Sequence, residues 1–117
     1  MSGPGGIKSH PLAFAVAGLI AEAGAVYCAR DDATGQVKIG HSVDISRQFS
    51  QLQTGSSNRL RLVAFIAGTR AAESAIHECF KDRRLNGEWF DDRDGEVTDC
   101  LIEMAKEYGR GFTWNIR

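Results

Sequence analysis

Tyr27 lies in one β-rich run and Lys38 in the next, while Glu73 and His77 follow four residues apart and His41 stands just after Lys38. Hydrolysis of a phosphate ester needs a base for the attacking water, positive charge against the transition state, and a proton or charge partner for the leaving oxygen. Tyr27 serves as that base only if its pKa, about 10 in isolation, is lowered or its proton is passed on. Lys38 is placed to lower it, because facing side chains on paired strands stand about 5 Å apart. Glu73 is a hard oxygen ligand of the kind magnesium takes, one or two carboxylates with several waters retained. His77 shares its helix face. Singly, each has a plainer role: Tyr27 as a strand former, Lys38 as an edge lysine, Glu73 with His77 as a solvated helix pair, His41 as a loop residue. A zinc site from Cys28, His77 and Cys79 lacks any recognised ligand spacing.

These residues depend on elements that can be read from periodicity. The opening MSGPGGIKSH is glycine-rich without apolar period and reads as flexible. Leu12, Val16, Leu19, Ile20 and Ala23 then recur at helical spacing, and Gly24 stands where such a helix stops. AVYCAR (25–30) and QVKIG (36–40) flank the turn DDATG and read as a hairpin. Ser42 or Asp44 caps a helix running to about Thr54, with Ile45, Phe49 and Leu52 as its inward stripe. RLRLVAFIAG (59–68) alternates and then turns wholly apolar, as a strand entering a sheet centre does. Thr69 caps a helix with the seam Ala72, Ala75, Ile76, Cys79 and Phe80. RRLNGEWFDDRDG reads as a polar loop anchored by Trp89 and Phe90. Val97, Cys100, Leu101, Met104, Ala105 and Tyr108 mark a last helix, ended by Gly109. The economical architecture is α+β, a small antiparallel sheet with helices packed on it.

A chain of 117 residues, 43% hydrophobic and 25% charged, is expected to form one soluble domain. Its three cysteines have no C-x-x-C spacing, which argues against a disulfide framework and favours a cytoplasmic setting. The longest apolar run, Pro11–Ile20, is shorter than the roughly 20 residues of a membrane span. Formal charge is −1, yet residues 38–84 carry eight basic against four acidic residues and residues 91–117 four against seven. A basic middle is able to face a polyanion, although a solvated mixed surface explains the charges equally well.

The order of Val26-Tyr27, Lys38-Ile39-Gly40 after ten intervening residues, a capped helix ending in LQTG, a strand, Glu73-x-x-x-His77 and GEWF (87–90) resembles the GIY-YIG nuclease superfamily. It is most similar to the bacteriophage-type branch, in which KIG stands for YIG. The resemblance covers about residues 25–91, with 1–24 as a flexible start and helix and 92–117 as a C-terminal helix and tail of the same domain. It implies a three-stranded antiparallel sheet, hairpin plus one strand, and hydrolysis of a DNA phosphodiester with one divalent cation, magnesium or manganese. Tyr27 then falls on the tyrosine of the first motif, Lys38 and Gly40 on the ends of the second, and Glu73 on the glutamate that holds the metal. His41 and His77 fall near the same place.

That pattern also implies an arginine eight residues after the motif glycine, aimed at the scissile phosphate, and here the position is Gln48. Arg47 precedes it, but one residue turns a helical side chain by about 100°, so with Ile45, Phe49 and Leu52 inward Arg47 points elsewhere. Glutamine donates hydrogen bonds without neutralising charge, and losing such a stabiliser commonly costs about 10²-fold or more in rate. The expectation is a weak or inactive endonuclease. Three readings fit: a substitution introduced to trap a complex, which the presence of Tyr27, Lys38 and Glu73 favours; a non-catalytic relative that binds nucleic acid or protein; and an active form in which Arg47 substitutes. Arg47, Arg59, Arg61 and Arg70 are the expected nucleic-acid contacts. With no helix-turn-helix or zinc finger beside so small and nearly neutral a core, the expected substrate is nicked, branched or single-stranded DNA, or duplex held through a homodimer or tethering partner.

Overall fold

The strand that carries Tyr27 is the axis of the structure. The computed structural model describes residues 24–107 and 112–113; the expected helix over 12–23, Tyr108 and Gly109 lie outside them. β1 (Ala25–Asp31) is buried along its length apart from the half-buried Arg30, as a strand covered on both faces must be. It pairs antiparallel with β2 (Gln36–Ser42) and β3 (Leu60–Ala67). The β1–β2 turn is closed by the Gly35 N–H on the Asp31 carbonyl at 2.8 Å, and Gly35 takes the left-handed φ of +75° that a side chain would resist.

The α+β class holds, but the sheet is larger than three strands. Its order is β4-β5-β2-β1-β3-β6, with β4 (Arg84–Asn86), β5 (Trp89–Asp91) and β6 (Phe112–Thr113) added to the expected trio. The segment read as a polar loop is therefore a 3-10 turn (Lys81–Arg83) followed by a short hairpin whose β5 pairs with Gln36–Lys38. Phe90 is fully buried there. Strands of two or three residues are too short to display alternation, so the sequence pattern could not announce them.

Three described helices cover the sheet. α1 (Ile45–Thr54) is capped by Asp44, whose Oδ1 accepts from the Arg47 N–H, and its Ile45, Phe49 and Leu52 pack on Ala25, Tyr27, Ala29, Leu62 and Phe65. Its exit is held by Gln53, which donates to the Asn58 carbonyl and accepts from the Leu60 N–H, each at 2.8 Å. α2 (Arg70–Cys79), capped by Thr69, and α3 (Glu96–Glu107) close the other face, where Ile76, Val97 and Leu101 meet Val26, Cys28, Val37, Ile39 and Phe90. The α2 seam differs from expectation: Ala75 and Cys79 are exposed, and Glu73 joins Ile76 among the buried residues. α3 is tied to the hairpin by Asp92, fully buried, which accepts from the Val97 and Thr98 N–H groups and the Thr98 hydroxyl and pairs with Arg30.

Candidate active site

Gly40 is the floor of the site. In the β1–β2 register it faces Tyr27. A Cβ there would lie 2.7 Å from the Tyr27 hydroxyl oxygen, 2.8 Å from Tyr27 Cζ and 3.0 Å from Glu88 Oε1. Its backbone φ is not in the left-handed region, so glycine is needed for close approach, with the tyrosine laid across the strand and a carboxylate beside it.

Around that gap four elements converge. From β1 comes Tyr27, only 2% exposed. Gln48 reaches in from α1, because positions 45, 48, 49 and 52 share one helical stripe, and its side chain hydrogen-bonds Tyr27. β2 supplies Lys38, which in the register stands opposite Ala29 and not, as expected, opposite Tyr27; its Nζ is 3.2 Å from Glu88 Oε1 instead. Glu88 sits in the turn between β4 and β5, where Gly87 at φ +59° permits the reversal. From the first turn of α2 comes Glu73, 6% exposed, with its carboxyl against that of Glu88.

The electrostatics follow from this crowding. Burial pushes the Tyr27 hydroxyl up to about 12; the Gln48 hydrogen bond pulls the other way, and the nearby Glu88 and Glu73 charges add to the rise. Tyr27 is therefore a neutral phenol at ordinary pH. Burial also raises Glu73, as does the neighbouring Glu88 carboxyl. For Glu88 burial alone would do the same, but hydrogen bonds from Glu73 and Lys38 outweigh it and hold the group below the ordinary range. The two facing carboxyls are thus driven in opposite directions, Glu73 up and Glu88 down.

Both histidines brace the backbone. His77 Nε2 donates to the Ile39 carbonyl at 2.8 Å, which places the ring proton on that nitrogen, and its ring packs edge-on against Phe90. Glu73 Oε2 lies 3.6 Å from the same nitrogen. His41 Nε2 meets the Gly68 carbonyl at 3.0 Å, where the ends of β2 and β3 come together.

The expected nucleic-acid contacts are dispersed. Arg70 is exposed beside the site, with Nη1 3.8 Å from Glu73 Oε1. Arg47 is exposed, off the stripe that carries Gln48. Arg59 and Arg61 lie at the hairpin-turn end of the sheet, where Arg61 is bound to Asp32, which also pairs with Arg30. Among the described residues no three His, Cys, Asp or Glu side chains are grouped to hold a metal, the Cys28, His77, Cys79 trio included.

Sequence reasoning passed over Glu88 within GEWF. It also treated Glu73 as plausibly solvated, although Glu73, Ile76 and Phe80 fall at i, i+3 and i+7, a spacing that signals one inward face.

A family model, the T5orf172 domain, matches residues 24–105, the whole of this arrangement. The chain belongs to the T5orf172 domain family. The family comprises phage-associated, nuclease-related domains, and a nuclease-like or DNA-binding role is compatible with membership. Comparisons with curated proteins and with solved structures returned no match. Among the described residues, no helix of this T5orf172 domain is long and apolar enough to cross a membrane.

Proposed function

We propose that this T5orf172 domain is a GIY-YIG-type endonuclease that hydrolyses DNA phosphodiesters with a divalent cation, attenuated by Gln48. The observation that carries the reading is the convergence of Tyr27, Lys38, Gln48, Glu73 and Glu88 on the gap over Gly40. The residues present suit a magnesium or manganese ion. Glu73 is a nearly buried carboxylate whose Oε2 has no hydrogen-bond donor within reach, and carboxylate oxygen is the ligand such hard cations take. Glu73 would hold the cation, which supplies positive charge against the phosphate when bound.

Each side chain has a defined task in that chemistry. Tyr27 holds its proton up to about pH 12, so in this form it orients a water or phosphate oxygen rather than acting as a ready base. Gln48 is aimed at the hydroxyl but brings no charge. An arginine in its place would set a guanidinium beside Tyr27, lowering the phenol's pKa and neutralising the phosphate together. Arg70 is an exposed cation beside Glu73 and suits a flanking phosphate. A reducing, cytoplasmic setting accords with the three free cysteines.

The uncharged Gln48 also favours a second reading, a DNA-binding module without chemistry. Magnesium-dependent nicking of supercoiled plasmid by the chain and by Gln48→Arg separates the two. The expected outcome is a gain of about 10²-fold or more on Gln48→Arg, with a rate profile that extends to lower pH, and loss of cleavage in Gln48→Arg combined with Glu73→Ala. Absence of cleavage by both forms would establish the binding module as the better account.

A further inference from the structure

Glu88 has a function that GEWF, read as a hydrophobic anchor, does not suggest. We propose that Glu88 is the second carboxylate arm of the divalent-cation site, paired with Glu73 and held ready by Lys38; this rests on the metal-dependent reading above.

Four observations point the same way. Glu73 is buried to more than nine-tenths, yet Oε2 lacks a donor: the nearest nitrogen, His77 Nε2, is 3.6 Å away and spends its proton on the Ile39 carbonyl. Arg70 Nη1 stands 3.8 Å from the other oxygen, Oε1, so Oε2 is the atom left without a partner, and the Glu88 carboxyl is brought against the same group. Glu88 is also held in position by Lys38, whose Nζ stands 3.2 Å from Oε1. Gly40 keeps the space between this carboxylate and the Tyr27 hydroxyl clear of any Cβ.

The two ligands come from different parts of the chain, one at the start of α2 and one in the β4–β5 turn. One or two carboxylates with waters filling the rest is how magnesium and manganese are usually bound. The third side chain at hand, Lys38, is a cation and not a ligand. It orients Glu88, as groups behind a metal ligand commonly do.

Manganese binding to the whole chain, followed by calorimetry and by loss of the free-ion electron paramagnetic resonance signal at pH 7.5, tests this without any need for cleavage. Glu88→Gln, near-isosteric at a partly exposed side chain, is expected to weaken Mn2+ by about 10- to 100-fold, as Glu73→Gln does. Glu88→Asp keeps the charge and shortens the arm, and is expected to lose at least half of that factor on a logarithmic scale. Unchanged thermal melts of the ion-free variants exclude misfolding. If Glu73→Gln loses Mn2+ while Glu88→Gln binds as the parent does, Glu88 is no ligand and the endonuclease reading stands. Full retention by Glu88→Asp beside loss by Glu88→Gln would reduce Glu88 to a through-space charge and overturn ligation. Failure of the parent chain to bind Mn2+ at millimolar concentration would overturn this inference and the metal-dependent reading together.

Discussion

Gly40→Ala is the most direct probe of how the site is packed. The new methyl would begin 2.7 Å from the Tyr27 hydroxyl oxygen and 2.8 Å from Cζ, against normal carbon contacts of about 3.5–4.0 Å. The third neighbour, Glu88 Oε1 at 3.0 Å, ends a flexible side chain and gives way cheaply. Tyr27 has no such freedom, being packed with Ala25, Ala29, Ile45, Leu62 and Phe65. Overpacking of this kind costs about 1–3 kcal/mol, from which the smaller unfolded-state entropy of alanine recovers about 0.4–1. The net loss of about 1–2 kcal/mol corresponds to a fall of roughly 5–15 °C in Tm for a domain near 100 residues. Tyr27→Leu removes both atoms in the way, so Gly40→Ala introduced into Tyr27→Leu should keep only the unfolded-state gain of about 0.4–1 kcal/mol. The unfolded-state gain cancels in a double-mutant cycle, so the coupling read by thermal and urea unfolding should be the whole overpacking cost, about 1–3 kcal/mol. An equal cost of Gly40→Ala in both backgrounds, or no cost in either, would refute close approach as the reason for glycine.

Other expectations follow from the same geometry. Asp92→Ala should cost about 3 kcal/mol in urea unfolding, because it removes the buried partner of the Arg30 guanidinium, which keeps only the half-exposed Asp32, and leaves two N–H groups of α3 without an acceptor; Asp92→Asn should recover part of that loss. Gln53→Ala, which leaves the Asn58 carbonyl and Leu60 N–H without their partner, should cost about 1–3 kcal/mol by the same measurement. Since Tyr27 titrates at about 12 against 10.0 in a free tyrosine, the folded chain keeps a proton that the unfolded chain loses. Its contribution to stability is therefore complete below pH 10 and is lost as pH rises from 10 towards 12. Parallel melts across that range should show a steeper decline for the parent than for Tyr27→Phe, and parallel slopes would contradict the assignment.

Much of the frame was legible because its signals are local. The hairpin follows from a turn with glycine at its end, and the stripe Ile45, Phe49, Leu52 both places α1 and turns Gln48 inward while Arg47 faces solvent. Thr69 announces α2 by its capping oxygen. What escaped was set by distant parts of the chain. β4 and β5 are three residues each and exist because β2 offers them an edge. Glu88 matters because a turn at Gly87 carries it back to Gly40, nearly fifty positions earlier, and no spacing rule along the chain encodes that approach. Asp92 reads as one aspartate in a polar loop until Arg30 and the start of α3 are seen to close around it.

The half of β2 left uncovered by β5 has a bearing on solubility. β5 pairs only as far as Lys38, so Ile39 presents an outward N–H and C=O to whatever lies alongside. The Glu88 carbonyl takes the first at 2.9 Å and His77 the second. An open strand margin is a template on which another chain can add itself, and here it is stopped by one backbone carbonyl and one imidazole. Undocking α2 would uncover that margin along with Glu73, so damage to the site from this side should show itself as self-association as well as lost binding.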